Sequence, residues 1–167
     1  MSVNGAIVRL SDDDLAWLRG GSAHASGDEL GDRTAGWFFA DNPNVYEFEK
    51  AFLGVHFILT GSSFGGEGVL SFIANDASGE AVPHDFGYGP GRVFEPAAVR
   101  SIASAIESLS AKPVRTRLDS AELASIYPFT RPLEDDDKEW LLAVLQGLMT
   151  FMRRAADDGV AILVAVV

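Results

Sequence analysis

The chain has 167 residues, of which 24 are Asp or Glu and 13 are Lys or Arg, so its net charge is −11, and it contains no cysteine. A chain of this length predicts one domain, residues 1–167, that buries a core without cross-links. The composition excludes disulfides and thiolate metal sites, and the negative charge opposes a main role in binding nucleic acid.

No segment of the sequence is typical of a membrane anchor or an export signal. The longest uncharged apolar runs, 51–59 and 160–167, are much shorter than the roughly 20 residues that a spanning helix needs. The first residues, Met1–Gly5, lack the basic segment and the following apolar stretch of a secretory signal. We therefore expect a cytoplasmic protein with neither a membrane nor a nucleic acid as its partner.

The first quarter of the chain contains one clear strand and one clear helix start. Gly5–Leu10 is a short apolar run typical of a strand, and Ser11 stands where an N-cap would begin a helix. The positive end of a helix dipole stabilises aspartates, so Asp12–Asp14 indicate a helix start more simply than a cation site. Residues 22–44 predict an irregular segment with a short helix, whose aromatic run 37–39 should pack beneath the core.

The segment Val45–Thr60 has apolar residues at helical spacing and predicts a largely buried helix. Asn44 is its predicted N-cap, and Gly61 is its predicted end. Because β-branched and aromatic residues are dense in Val55–Thr60, a strand remains the alternative there. Two glycine-containing loops follow, the first of them Gly61–Gly68.

The second half of the chain alternates helices with loops and ends in a strand. A helix begins at Pro96, Asp119 is predicted to cap a short helix 120–125, and Glu134–Asp158 is the longest helix. Val160–Val167 is an uncharged β-branched run, which predicts a strand buried on both faces. These elements favour an α/β fold with helices layered about a mixed sheet and an interior C-terminal strand; α+β is the alternative.

Four short segments have a familiar order. Phe52–Gly61 is similar to the motif L-H-F-L-L-T-G, Gly87–Arg92 to Y-G-P-A-R and Ile126–Pro128 to I-Y-P, while the last helix leads through Gly159 into a β-branched strand. In this order they resemble the YfbM-like family of small bacterial proteins, whose function is unassigned. The resemblance extends over roughly residues 3–167. It implies a single α/β domain and carries no known activity.

His56 is the first candidate functional residue. On a helix it shares a face with Phe52 and Leu59, and a buried imidazole has a lowered pKa and is uncharged at neutral pH. The simpler interpretation is a core histidine that donates one N–H to a carbonyl or a carboxylate. The alternative is a pocket histidine that acts as an acid, a base or a donor to a ligand.

The segment Gly87–Arg92 is the second candidate. Its three glycines and one proline predict a tight turn with exposed backbone N–H groups, which can bind an anion together with the guanidinium of Arg92. The simpler interpretation is a turn that leads towards the helix at Pro96, with Arg92 paired to an acid. The glycine spacing does not match the dinucleotide-binding fingerprint.

Two further patterns are incomplete. Gly61–Gly65 matches G-x-S-x-G with Ser63 as a nucleophile, but that pattern also needs a preceding strand and a downstream acid and histidine, and only His84 follows. The same loop lacks the lysine of a phosphate-binding loop. His24, His84 and Asp85 do not have the spacing of a metal site, so we predict no metal ligands.

No triad, metal site, cofactor site or nucleotide-binding loop is complete in the sequence. We therefore predict a module that binds a protein or a small ligand without recognisable catalytic machinery, and its acidic surface suits a basic partner. The alternative is an enzyme or small-molecule sensor with a pocket around His56, Tyr88, Arg92 and Tyr127, which all lie in the family-like segments. Convergence of these four side chains in one cleft would favour the alternative.

Overall fold

A computed structural model describes residues 3–21, 27–38 and 42–167. Within these residues, five strands form one sheet in the order β2-β1-β5-β4-β3. The strands are β1 (Gly5–Leu10), β2 (Val45–Glu49), β3 (Glu80–Asp85), β4 (Pro90–Phe94) and β5 (Ala161–Val166). The C-terminal strand lies in the centre of the sheet, which confirms the predicted interior position.

Six α-helices and three shorter helical turns connect and cover the strands in the described part of the chain. The α-helices are α1 (Asp12–Ala16), α2 (Gly27–Phe38), α3 (Phe52–Thr60), α4 (Pro96–Glu107), α5 (Ala111–Leu118) and α6 (Asp135–Asp157). A π-helical turn, Trp17–Gly21, continues α1, and two 3-10 turns occupy Val69–Ser71 and Leu123–Ser125. The α/β fold class is confirmed.

The strand directions differ from the predicted mixed sheet, because every pairing between the five strands is antiparallel, as in the α+β alternative. A short turn joins β3 to β4 and imposes opposite directions on them. β5 lies between β1 and β4 and runs opposite to both. The sequence pattern of a helix, a glycine and a β-branched run predicts that β5 is buried, but it does not predict the direction of β5 relative to its neighbours.

Both faces of the sheet are covered by apolar cores. Alternate residues of β5 point to opposite faces: Ile162 and Val164 join the core beneath α3, α4 and α6, whereas Leu163 joins the core around α1 and α2. The second core contains Trp37 and Phe38, which are buried as expected of the aromatic run. Phe39 lies outside the described residues.

The prediction of a helix throughout Val45–Thr60 is wrong at its N-terminal end. Val45–Glu49 pairs with β1, and Phe48 is fully buried on the face that α6 covers. Apolar residues at positions 46 and 48 alternate as a strand requires, so a period of two was mistaken for a helical spacing. Asn44 is consequently not an N-cap, and α3 begins only at Phe52.

The C-terminal part of this segment is helical, which excludes a strand over 55–60. Gly61 ends α3 in the left-handed region with φ of 80°, a conformation that glycine adopts without strain, and this confirms the predicted stop.

In α5, Pro113 lies in the first turn, where no helical N–H is lost. Asp119 does not start a helix as predicted. It follows the end of α5, and its backbone N–H donates to the carbonyl of Arg115.

Two predicted helix starts are confirmed with their capping contacts. The Ser11 hydroxyl accepts the N–H of Asp14 at 3.1 Å. Glu134 precedes α6 and forms a capping box with Asp137, whose carboxylate accepts the N–H of Glu134 at 2.8 Å. The other aspartates of both acidic runs lie in the first turn of their helix, where the helix dipole favours negative charge.

Candidate functional site

His56 lies on α3 and is fully buried. Its Nε2 donates to the carbonyl of Gly65 at 2.9 Å, and its Nδ1 accepts the N–H of Ala74 at 3.3 Å. Burial lowers the pKa of the ring, and the bond to Gly65 opposes this shift in part. The imidazole is therefore uncharged with both nitrogens occupied, and it ties loop Gly61–Gly68 to residue 74.

The turn between β3 and β4 binds a carboxylate of its own chain. Asp85 Oδ1 accepts the N–H of Gly87 at 2.7 Å and that of Gly89 at 3.0 Å. These two bonds lower the pKa of the exposed Asp85. The backbone donors proposed for an external anion are thus occupied by Asp85, which sequence spacing alone did not indicate.

Arg92 was expected to pair with an acid, but the structure places its guanidinium against two backbone carbonyls. Nε donates to the carbonyl of Ser78 at 2.7 Å, and Nη2 donates to that of Gly79 at 3.4 Å. No bond is formed by Nη1 within the described residues. Arg92 therefore holds the start of β3 against β4 and keeps further donor capacity.

A cavity of about 430 Å³, here called the β4–β5 cavity, lies beside Arg92 where strands β4 and β5 separate. Its lining includes Asp76, Tyr88, Pro90 and Arg92, together with Phe64. Its remaining lining includes the buried side chains of Phe52, Ile73 and Ala74 and the last residues of β5, Val164, Ala165 and Val166.

The register of β5 leaves the Val166 carbonyl in this cavity without a backbone donor from β4. Val167 and Asn4 exchange both backbone bonds, so by alternation Val166 directs its N–H and carbonyl towards β4. The β4–β5 pairing ends at Arg92 and Val164, and the same register would set Val166 opposite Pro90. Proline has no N–H, so β4 supplies no donor to the Val166 carbonyl.

A second cavity of about 350 Å³, here called the Tyr127 cavity, adjoins the first. Tyr127 and Glu122 line it together with Ser63, and Phe64 lines both cavities. No histidine lines the Tyr127 cavity, so Ser63 lacks the base that a nucleophile would need.

The two cavities carry three exposed aromatic side chains, and we name this surface the aromatic groove. Phe64 is 56% exposed, Tyr88 46% and Tyr127 39%. They are three of the five large apolar side chains that are exposed in the described part of the chain. Two carboxylates, Asp76 and Glu122, and one guanidinium, Arg92, complete the charged lining of the groove.

The four residues of the sequence-predicted pocket are divided by the structure. Tyr88 and Arg92 line the β4–β5 cavity, and Tyr127 lines the adjoining cavity. His56 lines neither; its ring holds the backbone of Ala74, which lines the β4–β5 cavity. Phe64 was not predicted from the sequence, where its only signal is a large aromatic residue within a run of serines and glycines.

Residues 3–21, 27–38 and 42–167 contain neither a cluster of metal ligands nor a membrane-spanning helix. No group of three or more potential metal-ligating side chains occurs there. His84 packs edge-on against Phe86 at 4.6 Å between ring centres, and His24 lies outside the described residues. No helix in this part of the chain has both the length and the apolar character to cross a membrane.

Comparison with known proteins assigns the family. The model of the family described as "Domain of unknown function (DUF1877)" matches residues 1–165. The chain belongs to this family. Its fold is similar to that of the crystal structure of YfbM from Escherichia coli, a protein of unknown function, with a TM-score of 0.66, 19% identity, and coverage of 98% of this chain and 99% of YfbM. None of the curated proteins matches the chain.

The YfbM-like resemblance carried by the four short segments is thereby confirmed. The family match extends over nearly the whole chain, and the fold similarity spans the same length. Neither the family nor YfbM has an assigned function, so a function can be inferred only from the groove.

Proposed function

We propose that this DUF1877 domain is a binding module whose aromatic groove takes an extended, positively charged segment of a partner protein. One observation carries the proposal: Phe64, Tyr88 and Tyr127 are exposed together on two cavities that meet at Phe64. The cytoplasm, where such partners are abundant, is the location we propose for this role.

The aromatic side chains supply the anchoring area. Exposed tyrosine and phenylalanine offer large apolar surfaces at low entropic cost, and such residues are enriched in protein interfaces. Because Phe64 lines both cavities, side chains of a single partner segment could occupy the two cavities together. A partner segment would therefore cover Phe64 and fill both cavities.

The backbone of the groove supports an extended conformation of the partner. The Val166 carbonyl is directed towards β4 but has no donor at Pro90, so an N–H of an incoming segment can donate to it. Addition of an extended peptide to an unpaired strand edge combines such backbone bonds with side-chain pockets. The Val166 carbonyl offers one such backbone bond, and the adjoining cavity offers a side-chain pocket.

The charge of the groove favours a basic partner. Its carboxylates, Asp76 and Glu122, outnumber its one guanidinium, and the whole chain carries −11. The acidic runs at the starts of α1 and α6 stabilise those helix ends, so the carboxylates of the groove, and not the total charge, favour a basic partner. Attraction between opposite charges would raise the association rate. Because salt screens this attraction, binding should be weaker at high salt.

A small-molecule sensor is the second candidate. It is supported by Arg92, whose Nη1 has no bond within the described residues, because this nitrogen can donate to a small carboxylate in the β4–β5 cavity. An enzymatic role has less support, because no activated nucleophile or paired acid and base lines either cavity.

A pair of synthetic peptides tests the proposal. We expect acetyl-Lys-Val-Lys-Val-Lys-amide to shift the NMR amide signals of Phe64, Tyr88 and Tyr127, whereas the peptide with glutamates in place of the lysines leaves them unchanged. Phe64→Ala should weaken binding about tenfold, as for an interface anchor. Leu142→Ala removes another exposed apolar side chain, on α6, and should leave binding unchanged.

Two results would overturn the proposal. One is unchanged lysine-peptide affinity in Phe64→Ala, as in Leu142→Ala, which would mean diffuse attraction by the net charge. The other is no response to the lysine peptide together with saturable shifts at Arg92 on addition of acetate, which would favour the small-molecule sensor.

A further variant, Pro90→Ala, supplies an N–H opposite Val166 and should reduce peptide binding without removing any exposed aromatic residue.

A further inference from the structure

A third cavity lies apart from the aromatic groove and shares no lining residue with it. It has a volume of about 400 Å³ and lies between the 3-10 turn Val69–Ser71, strand β4 and helix α4; we call it the α4 cavity. This volume is within the range of small-molecule sites in proteins.

The walls of the α4 cavity are apolar. They consist of Val69, Phe72, Val93, Phe94, Ala98 and Ile102. Gly79 closes the back wall at a φ of 65°, and a Cβ there would lie 2.8 Å from the Phe94 ring. Arg92 donates to the carbonyls of Ser78 and Gly79, which both line the cavity, and so fixes this part of its wall.

The mouth of the α4 cavity is negatively charged. Glu80 and Glu95 line it, and both bind Arg19 of the π-helical turn, so two carboxylates share one guanidinium. Arg19 contacts both oxygens of Glu80 but only Oε1 of Glu95. Glu95 is half-exposed and keeps Oε2 as an acceptor without a partner among the described residues.

We infer that the α4 cavity binds a small organic cation with an apolar body and an ammonium or guanidinium head. The body would fill the apolar interior, and the head would donate to Glu95 Oε2 at the mouth. An apolar anion of the same size would meet a surplus carboxylate there. This site is independent of the aromatic groove, so either proposal can fail alone.

Three probes of equal chain length separate the contribution of the head from that of the body. Hexylammonium, hexanol and hexanoate are titrated into the intact chain, and the NMR signals of Val93, Phe94 and Ala98 report occupancy. We expect affinity to fall in that order, with hexylammonium bound about threefold more tightly than hexanol, as is usual for one exposed charge contact.

Two variants assign the contacts. Glu95→Gln should remove the preference for hexylammonium over hexanol while hexanol binding persists, and Glu139→Gln, an acid exposed on α6, is the matched control. Ala98→Leu should exclude all three probes by filling the cavity, with thermal unfolding used to verify that the variant folds. Hexanoate binding as tightly as hexylammonium, an unchanged preference in Glu95→Gln, or no shifts at these three residues would overturn the inference.

Discussion

Two glycine-containing loops of this domain are shaped by opposite kinds of polar group. Loop Gly61–Gly68 is held by His56, an uncharged ring inside the core. The turn between β3 and β4 is held by Asp85, a carboxylate at the surface. In each case a polar side chain bonds to backbone groups of other residues in the same chain, and the loop presents an exposed aromatic side chain, Phe64 or Tyr88.

The residues that hold the two loops, His56 and Asp85, are thus different from the residues that the loops expose to a partner, Phe64 and Tyr88. The buried ring should matter greatly for folding, because its loss leaves polar backbone groups unpaired inside the protein. The exposed carboxylate should matter mainly for local order. Binding should depend on the aromatic residues that the two loops carry, and the following predictions test each part of this division.

The largest expected effect is that of His56→Ala. The substitution leaves the Gly65 carbonyl and the Ala74 N–H without a partner and creates a cavity, so the free energy of unfolding should fall by about 3 kcal/mol. Urea denaturation measures this. His84→Ala, at a partly exposed ring, should cost less than about 1 kcal/mol; equal costs would contradict the assigned roles.

A smaller effect is expected where loop Gly61–Gly68 begins. Arg117 Nη1 donates to the carbonyls of Ile58 and Leu59 at 2.6 and 2.8 Å, which caps the C-terminus of α3. Arg117→Ala should lower the free energy of unfolding by about 1.5 kcal/mol. The control Arg115→Ala, exposed on the same helix, should change it by less than about 0.5 kcal/mol. An equal loss in the free energy of unfolding in both variants would show that Arg117 does not cap α3.

The pH dependence of stability should also reflect His56. Its folded-state pKa lies below the ordinary 6.5 because burial disfavours the charged ring. Between these two values the unfolded chain binds the proton more readily, so stability is complete above pH 6.5 and declines as the pH falls below it. His56→Gln should flatten this decline, measured by urea unfolding from pH 7 to pH 5; the part due to His84, whose pKa is also lowered, should persist.

The smallest effect is expected at Asp85. The N–H groups of Gly87 and Gly89 lower the pKa of this carboxylate, so the turn stays ordered until the acid is protonated well below neutral pH. Asp85→Asn should speed amide exchange at both glycines without changing the midpoint of global unfolding. Unchanged exchange at Gly87 and Gly89 would show that the turn does not depend on this carboxylate.

The sequence predicted the elements whose pattern is long or uninterrupted. Helix α6, with its acidic start, and strand β5, with its uncharged run, form as expected. The short segment Val45–Glu49 was misassigned because two apolar residues satisfy a period of two as well as a helical spacing. Strand direction was also inaccessible, because pairing depends on contacts that are distant in the sequence.

The candidate site was predictable only in part. Tyr88, Arg92 and Tyr127 were selected from family-like segments, and the structure places them on two adjoining cavities. Phe64 was missed, because exposure of a loop aromatic depends on how the surrounding chain packs. The free carbonyl of Val166 was equally inaccessible, since it requires the register that sets Pro90 opposite it.

Binding of the lysine peptide to single tyrosine variants tests the central claim most directly. Tyr88 and Tyr127 line different cavities, so one continuous groove predicts that Tyr88→Ala and Tyr127→Ala each weaken the peptide severalfold, while Leu142→Ala binds like the original chain. Isothermal titration at low salt measures all four proteins. Unchanged affinity in both tyrosine variants would contradict the account and remove the aromatic groove as the binding surface.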